Sequence, residues 1–572
     1  MAGGDLLRGV PVLAGLSAEQ RDRLAAEGRE RQVPAGDWLL REGEPADTMY
    51  VIRSGRLDVV AEGPPEALIR TLRRGDVVGE LALLHAGRRT ASVRARRHCE
   101  LLELSREQFE TLVAQEPSFA VALTRSLGAQ LAVSQAPPAA APAPPRTIAV
   151  VALDPGAPGA RAVAQLEANL AATSNVVRLG ASAESDPPAM LGVLERAERD
   201  AGLVLLVTGA PEAPWTQLCL READLIVALT TGTPEPGWTR HVAALGGCEL
   251  LVFGSQAPAD LLAALAPRET QVLSDDARLT HALGALARRL TGRAVGVVLS
   301  GGGARAFAHL GVLEELLSAG LVIDRLGGVS LGAAVAASVA TGADTGTVYT
   351  TFRESFVTTS PTRDYVIPAY SLLRGARVRE ILARHFGHLT IEALPVRFTC
   401  VSCDLIAREA VVHRTGPLDQ AVYASLAIPA VFPAVATADG RLLVDGGVLD
   451  NLPVAAMART GEGPVIASDV TGHAGTFARR RRPGLEGLAR SVRRGLTGSE
   501  AALPRLGETI LRTVTVGSTD TVAAGRRHAD LVITPRVDHI GLMDWRRLDE
   551  ARELGREAAR TALAGAQALP WS

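Results

Sequence analysis

Lysine is absent from this sequence, and all 60 of its basic residues are arginine. A mechanism that depends on a catalytic or Schiff-base lysine is therefore excluded. No uninterrupted apolar run reaches the ~18 residues that a membrane span needs, and the first residues lack the charged, apolar and small segments of a signal peptide. These absences predict a cytoplasmic protein.

Cysteine is scarce and scattered. The five cysteines are odd in number and irregularly spaced, which argues against a disulfide framework. Cys400 and Cys403 form a single C-x-x-C, but zinc needs a second pair of ligands and none stands nearby. We therefore predict two buried strand cysteines and no metal site. The formal net charge of -2 gives no general attraction to nucleic acid.

The 572 residues are too many for one core and predict several domains. An Ala/Pro segment has the composition of an extended spacer. Before it, short alternating runs between glycines predict a small β-barrel with flanking helices. After it, continuous apolar runs alternate with helical stretches, as in parallel α/β sheets. The predicted regions are the barrel domain at 8–133, the linker at 134–146, an α/β Rossmann-like middle region at 147–290, a second α/β domain at 295–460, and a helical extension with a late strand at 461–572.

A glycine-rich loop follows the strand AVGVVLS. Gly301, Gly302 and Gly303 precede Ala304-Arg305 and a helix with apolar residues at helical spacing. Such glycines let backbone N–H groups approach a ligand and stabilise developing negative charge. The same pattern, with Asp324 about twenty residues on, also fits a dinucleotide-binding fingerprint. The loop alone leaves both interpretations open.

Two further motifs lie within about 145 residues of this loop. Gly328-Val329-Ser330-Leu331-Gly332 is a G-x-S-x-G elbow, in which the flanking glycines allow a tight turn that presents the serine. Asp445 ends a short strand and is followed by Gly446 and Gly447. Taken alone, the elbow occurs often by chance, and an aspartate at a turn is usually structural.

Together these motifs resemble the patatin-like phospholipases, and more closely the neuropathy target esterase branch of that family. The stretches SLLRGARVREILARHFG, LPVRFTCVSCDL, ASLAIPAVFPAV and LLVDGGVLDNLP follow in the family's order. The resemblance covers roughly residues 295–460 and outweighs the dinucleotide interpretation. It implies an α/β/α three-layer fold, an oxyanion hole at Gly301–Gly303, nucleophile Ser330 and base Asp445. One departure is Ala306, where the family usually has glycine.

The resemblance also implies the chemistry. A serine hydroxyl needs a base to take its proton, and in this Ser-Asp dyad the base is a carboxylate whose pKa burial can raise. No cofactor is expected for catalysis. The expected substrate is a (lyso)phospholipid or related lipid, met at the inner face of a membrane by a peripheral protein. His309, close to the loop in sequence, is expected to be structural.

Residues 8–133 resemble the cyclic nucleotide-binding domain. The matching text includes VPAGDWLLREGEPADTMYVIRSGRLDVV and the phosphate-binding stretch GDVVGELALLHAGRRTASVRA. By this resemblance Glu80 accepts the ribose 2′-OH, while Arg89 and the N–H groups after Gly79 hold the cyclic phosphate, since a guanidinium binds phosphate with two hydrogen bonds. Ala82 matches the same stretch, and Thr90 occupies the position associated with the choice between cAMP and cGMP.

Two functions therefore compete at this point. The first is a lipid-directed serine hydrolase regulated by a cyclic nucleotide. The second is a nucleotide-sensing scaffold protein whose hydrolase site is inactive, and the intact Ser330 and Asp445 argue against it. Residues 147–290 resemble the linker region of the same esterase branch and contain no catalytic constellation.

Overall fold

The computed structural model divides the chain into two compact units. Unit 1 comprises residues 1–292 with 459–462, and unit 2 comprises 293–458 with 463–572. The structure describes residues 17–34, 36–61, 67–73, 76–84, 87–96, 99–115, 119, 145–181, 187–254, 257–359, 361, 364–366, 370–472 and 517–566. Residues 134–144 of the predicted linker lie outside these residues, as does the part of the predicted helical extension at 473–516.

Unit 1 begins with an antiparallel jelly-roll barrel of two four-stranded sheets. Its strands are β1 (Arg29–Val33), β2 (Trp38–Leu40), β3 (Thr48–Ser54), β4 (Arg56–Ala61), β5 (Ala67–Arg73), β6 (Val77–Val78), β7 (Ser92–Ala95) and β8 (Cys99–Ser105). Its helices are α1 (Ala18–Glu27), α2 (Glu80–Leu84) and α3 (Arg106–Gln115). The sheets have strand orders β1-β8-β3-β6 and β2-β7-β4-β5. The predicted barrel is confirmed.

The alternation of side chains along β3 explains how the barrel is stabilised. Successive residues of a strand face opposite sides of the sheet. Met49 and Val51 therefore pack with residues of α1 and α3, while Tyr50 and Ile52 pack inside the barrel. Helix α1 starts at a capping box, in which the Ser17 hydroxyl accepts from the Gln20 N–H.

The rest of unit 1 is a parallel six-stranded sheet. Its strands are β9 (Thr147–Ala152), β10 (Val176–Leu179), β11 (Leu203–Val207), β12 (Leu225–Thr230), β13 (Glu249–Phe253) and β14 (Glu269–Leu273), in the order β10-β11-β9-β12-β13-β14. Its helices are α4 (Gly159–Ala171), α5 (Pro187–Asp200), α6 (Pro214–Glu222), α7 (Pro236–Thr239), α8 (Val242–Leu245), α9 (Ala259–Leu265) and α10 (Asp276–Leu290). Apolar cores on both faces of the sheet account for its continuous hydrophobic runs.

Unit 2 is built on an eight-stranded mixed sheet. Its strands are β15 (Gly296–Leu299), β16 (Arg325–Val329), β17 (Arg397–Asp404), β18 (Glu409–His413), β19 (Val435–Ala436), β20 (Leu442–Asp445), β21 (Val465–Ser468) and β22 (Leu531–Ile533). The order is β19-β20-β17-β16-β15-β21-β22, and β18 pairs with β17. Its helices are α11 (Ala308–Ser318), α12 (Leu331–Ala340), α13 (Thr345–Phe352), α14 (Ala376–Phe386), α15 (Leu418–Leu426), α16 (Val454–Ala458), α17 (Thr519–His528) and α18 (Leu548–Gly565).

The sheet of unit 2 extends beyond residue 460, where the sequence placed the start of an extension. β21 pairs in parallel with β15, and β22 pairs with β21. Helix α18 packs against α11 at two glycines: a Cβ on Gly311 would lie 1.9 Å from the Arg552 carbonyl oxygen, and one on Gly555 equally close to that of Ala308. The last described segment is thus part of this unit's fold.

Candidate active site and nucleotide site

Ser330 occupies a sharp turn between β16 and α12. Its backbone has φ 55° and ψ -134°, a conformation that L-residues rarely adopt. The flanking glycines are required by contact, because a Cβ on Gly332 would lie 2.4 Å from the Ser300 carbonyl oxygen and one on Gly328 would lie 2.8 Å from the Gly332 carbonyl carbon. The predicted elbow therefore exists as a strained, closely packed turn.

A buried serine on α15 fixes the orientation of this turn. The Ser330 N–H donates to the Ser425 hydroxyl oxygen at 2.9 Å. The Ser425 hydroxyl in turn donates to the Val401 carbonyl oxygen of β17 at 2.7 Å. The elbow is thus tied to the neighbouring strand, and Ser330 itself is only 6% exposed.

Asp445 lies at the end of β20, close enough to the Ser330 side chain for that group to influence its pKa. Burial raises the pKa of the Asp445 carboxyl to about 6, and the Ser330 side chain and the Gly447 N–H lower it in part. The Gly447 N–H donates to Asp445 Oδ1 at 2.8 Å. Gly446 allows the strands to approach, since a Cβ there would lie 2.4 Å from the Val401 carbonyl oxygen. The structure therefore brings together a serine and a carboxylate with an elevated pKa.

The glycine-rich loop lies beside this pair, but its three N–H groups are not equivalent. The Gly301 N–H donates to the Asn451 carbonyl oxygen at 3.2 Å and is unavailable to a ligand. Within the described chain the N–H groups of Gly302 and Gly303 have no hydrogen-bond acceptor. Gly303 has φ 52°, and a Cβ there would lie 2.2 Å from the Leu542 carbonyl oxygen. The loop thus offers two donors rather than the three expected from sequence.

Arg305 anchors the loop instead of facing a ligand. Its guanidinium donates from Nε to the Ile540 carbonyl oxygen at 2.8 Å and from Nη2 to that of Asp538 at 3.0 Å. Ala306 is fully buried in the 3-10 turn Gly303–Phe307 and does not have a positive φ. The alanine that departs from the family pattern is therefore accommodated without backbone strain.

Asn451 is a site residue that the sequence reasoning missed. It is 6% exposed, and its Oδ1 lies beside the backbone of two glycines of the site. A Cβ on Gly301 would approach Asn451 Oδ1 to 2.3 Å, and one on Gly447 would approach it to 2.8 Å. The only signal in the sequence was its place six residues after Asp445, in the quoted stretch LLVDGGVLDNLP.

Two other residues considered from sequence lie away from the reacting groups. His309 is fully buried, with Nδ1 2.8 Å from the Ser468 hydroxyl and Nε2 2.9 Å from the Ser300 carbonyl oxygen. Burial lowers its pKa to about 4, so it stays neutral and structural. Asp324 accepts from the Val295 N–H at the amino end of β15, whereas Gly301–Gly303 follow the carboxyl end. It cannot complete a dinucleotide site with that loop.

The candidate nucleotide site of the barrel is centred on Arg89. Its Nη1 donates to the carbonyl oxygens of Thr48 at 2.8 Å and Gly79 at 3.3 Å, and its Nη2 donates to Thr48 Oγ1 at 3.0 Å. Burial lowers the pKa of the guanidinium. Gly79 has φ 88°, and a Cβ there would lie 2.6 Å from Arg89 Nη1. The arginine and the turn that precedes α2 are therefore packed together.

The other predicted residues surround this pair. Glu80 begins α2 and is 1% exposed, and Ala82 on the same helix is buried. Thr90 is exposed, and among the described residues its hydroxyl has no hydrogen-bond partner. Its side chain is thus available to a ligand rather than packed inside the turn.

Comparison with known proteins identifies the two domains that contain these candidate sites. Residues 297–458 match the family model described as patatin-like phospholipase, and residues 30–116 match the cyclic nucleotide-binding domain. The chain is a multidomain patatin-like lipid hydrolase with an N-terminal domain of the cyclic nucleotide-binding type.

An uncharacterized NTE family protein of Mycobacterium tuberculosis is 35% identical over 97% of this chain and 96% of its own length. The chain belongs to the NTE family. Lysophospholipase NTE1 of Phaeosphaeria nodorum is 24% identical over 93% of this chain, which spans 42% of that protein's length. A cAMP-bound PfPKA-R structure is 27% identical over 23% of this chain and 44% of its own, with a TM-score of 0.21.

Proposed function

We propose that this protein hydrolyses carboxylic ester bonds of lysophospholipids or related lipids through a Ser330-Asp445 dyad. The observation that carries the proposal is the position of Ser330 beside a buried carboxylate whose pKa is raised to about 6. A pKa near neutrality suits a general base, which must be ionised yet able to accept a proton. The similarity to fungal lysophospholipases favours a lipid with one acyl chain.

In the first step, the Ser330 oxygen attacks the ester carbonyl carbon while its proton passes to Asp445. The carbonyl oxygen becomes an oxyanion, which the free N–H groups of Gly302 and Gly303 stabilise, each contributing roughly 3–4 kcal/mol. The tetrahedral intermediate collapses, the C–O bond to the alcohol breaks, and the protonated Asp445 returns its proton to the leaving oxygen. The products of this step are the free alcohol and an acyl-Ser330 ester.

In the second step, water attacks the acyl-enzyme. Asp445 takes a proton from the water, the same two N–H groups stabilise the second oxyanion, and the Ser330 oxygen leaves with the proton returned by Asp445. The net reaction is ester plus water giving a carboxylic acid and an alcohol. No cofactor enters either step.

Labelling with a fluorophosphonate tests the proposal, because this reagent forms a bond only with an activated serine. Wild-type protein should be labelled at Ser330 and should release fatty acid from a lysophospholipid, whereas Ser330→Ala should do neither. An unlabelled wild-type protein that still binds a cyclic nucleotide would instead support a catalytically inactive sensing scaffold.

We also propose that a cyclic nucleotide binds the barrel and regulates the hydrolase. The proposed binding residues are Gly79, Glu80, Ala82, Arg89 and Thr90. The hydrolase is proposed to act at a membrane surface on the cytoplasmic side. The packed Arg89 and Gly79 turn and the exposed Thr90 support this part of the proposal. Titration of the full chain with cAMP and cGMP, alongside Arg89→Leu, tests it. Heat of binding should appear for wild type and vanish in the variant.

A further inference from the structure

Large apolar side chains are exposed on three loops of unit 2. Leu405 and Ile406 lie on the first loop, Tyr365 and Tyr370 on the second, and Met543 on the third. Ile406 is 68% exposed and Tyr370 is 93% exposed. A cluster of large apolar side chains in contact with water marks a surface that binds a membrane or another molecule.

The first loop is the turn between β17 and β18, and it projects past the proposed nucleophile. Val401 of β17 is paired with Val329, the residue before Ser330, and both strands run in the same direction. β17 continues for three residues beyond this pair, which carries the turn about 10 Å past the elbow. Leu405 and Ile406 are therefore exposed at the same edge of the sheet as Ser330.

The third loop is attached to the glycine-rich loop. The carbonyl oxygen of Leu542 accepts from the Ala304 N–H at 2.9 Å. Met543, the next residue, is exposed. Since the glycine-rich loop follows the carboxyl end of β15, Met543 also lies at the carboxyl edge of the sheet.

The second loop is attached to the segment that supports the base. The Asp445 N–H donates to the Ala427 carbonyl oxygen at 2.9 Å. Three residues further on, the Ala430 carbonyl oxygen accepts from the Leu372 N–H at 2.8 Å. This bond holds the part of the loop that contains Tyr370 close to the same edge of the sheet.

Each of the three loops also carries an exposed arginine. These are Arg408 in the turn between β17 and β18, Arg374 after Tyr370, and Arg546 after Met543. Within the part of the chain that the structure describes, none of the three guanidinium groups forms an ion pair. Cationic groups beside exposed apolar side chains are the combination that binds a membrane surface containing anionic lipid.

We propose that these loops dock unit 2 on a bilayer that contains anionic lipid, with the carboxyl edge of the sheet and Ser330 facing the membrane. The inference rests on the proposed function, because it assigns the surface through which the hydrolase meets a lipid substrate. The apolar side chains enter the boundary between headgroups and acyl chains, and the arginines bind lipid phosphates.

Partition onto vesicles tests this surface without any hydrolysis. The Ser330→Ala protein should bind vesicles made of equal parts phosphatidylcholine and phosphatidylglycerol in a flotation assay. In that background, Leu405→Ser combined with Ile406→Ser should weaken partition at least tenfold, since burying one such side chain improves it roughly tenfold or more. Arg408→Gln should weaken partition about fivefold on these vesicles and leave it unchanged on pure phosphatidylcholine.

Two residues at the opposite edge of the sheet supply matched controls. Val322 is 52% exposed between α11 and β16, and Arg293 is exposed before β15. Val322→Ser and Arg293→Gln make the same kinds of chemical change at the amino edge and should leave partition unchanged. Unchanged partition in the loop variants, equal losses in the controls, or no vesicle binding by any of the proteins would overturn the proposal.

Hydrolysis separates this inference from the proposed function. With Ser330 restored, the Leu405→Ser, Ile406→Ser protein should hydrolyse a water-soluble monomeric ester within about twofold of the wild-type rate. It should hydrolyse a lysophospholipid presented in vesicles at least tenfold more slowly than wild type. Equal loss of both activities would overturn the docking surface. A wild-type protein that binds vesicles as expected but hydrolyses neither ester would overturn the hydrolase proposal and leave the docking surface standing.

Discussion

The backbone N–H of Gly301 donates to the backbone carbonyl oxygen of Asn451, with 3.2 Å between nitrogen and oxygen. This bond joins the glycine-rich loop to the segment that follows Asp445. It therefore helps to fix the position of the proposed oxyanion donors relative to the proposed base. The carboxamide of Asn451 lies so close to Gly301 that a side chain on Gly301 would collide with it.

Gly301→Ala should lower kcat/KM at least tenfold, because the added Cβ would lie 2.3 Å from Asn451 Oδ1 and 3.1 Å from the Ser330 Cβ. Asn451→Ala removes the first collision and keeps the backbone bond. In a double-mutant cycle, Gly301→Ala should therefore cost less in the Asn451→Ala background. Gly180→Ala, where an added Cβ meets nothing within 4 Å, serves as the control. Additive effects would contradict the proposed contact.

The pH dependence of the rate should follow the ionisation of Asp445. The base acts only when deprotonated, and burial raises its pKa to about 6. The value of kcat/KM should thus fall about tenfold per pH unit below pH 6 and level off above pH 7. A stopped assay on a neutral ester from pH 4.5 to 8.5 measures this profile. A rate that is constant across that range would indicate a different base.

Asp445→Asn should lower the rate by several orders of magnitude and stabilise the folded protein at pH 8. The pKa of Asp445 is higher in the folded chain than in the unfolded one, so ionisation favours unfolding and stability is lost as pH rises through about 6. Removing the charge should recover about 1–3 kcal/mol at pH 8. Thermal melting of both proteins at pH 4 and pH 8 separates this effect from a packing change, because the difference should shrink at the lower pH.

Ser330→Ala and Ser330→Gly should both abolish activity but differ in stability. Ser330 has φ 55°, a conformation that costs roughly 1–3 kcal/mol for a residue with a side chain. Glycine should therefore be at least as stable as alanine at this position. At Ser338, inside α12, the order should reverse, because glycine costs about 1 kcal/mol relative to alanine in a helix. The same order at both positions would contradict strain at the elbow.

Nucleotide preference should depend on Thr90. Its exposed hydroxyl can bond the guanine 2-amino group, which adenine lacks, and one net hydrogen bond contributes roughly 0.5–1.5 kcal/mol. We expect about three- to tenfold tighter binding of cGMP than of cAMP by calorimetry. Thr90→Ala should remove the difference, whereas equal affinities in wild type would refute the selectivity.

The sequence by itself determined the local structure around the reacting groups. Gly332 is needed because the start of α12 passes within contact distance of the end of β15, and Gly328 is needed because it lies against the first turn of the same helix. Both requirements can be read from the G-x-S-x-G pattern. The burial of Cys400 and Cys403 in a strand could likewise be predicted from the sequence. Their spacing on a strand places them on opposite faces, so they cannot share a ligand, and both are buried in β17.

Only the tertiary structure decided which groups meet. Asn451 touches Gly301 although 150 positions separate them in the sequence, and this contact occupies one of the three N–H groups that the sequence predicted as oxyanion donors. The strand β22, assigned from sequence to an extension, completes the sheet because β21 offers it a parallel edge. The raised pKa of Asp445 likewise depends on burial by distant segments. The spacing of residues along the chain specifies turns and strands. Packing between distant segments determines which groups are buried, and burial determines the pKa of the Asp445 carboxyl.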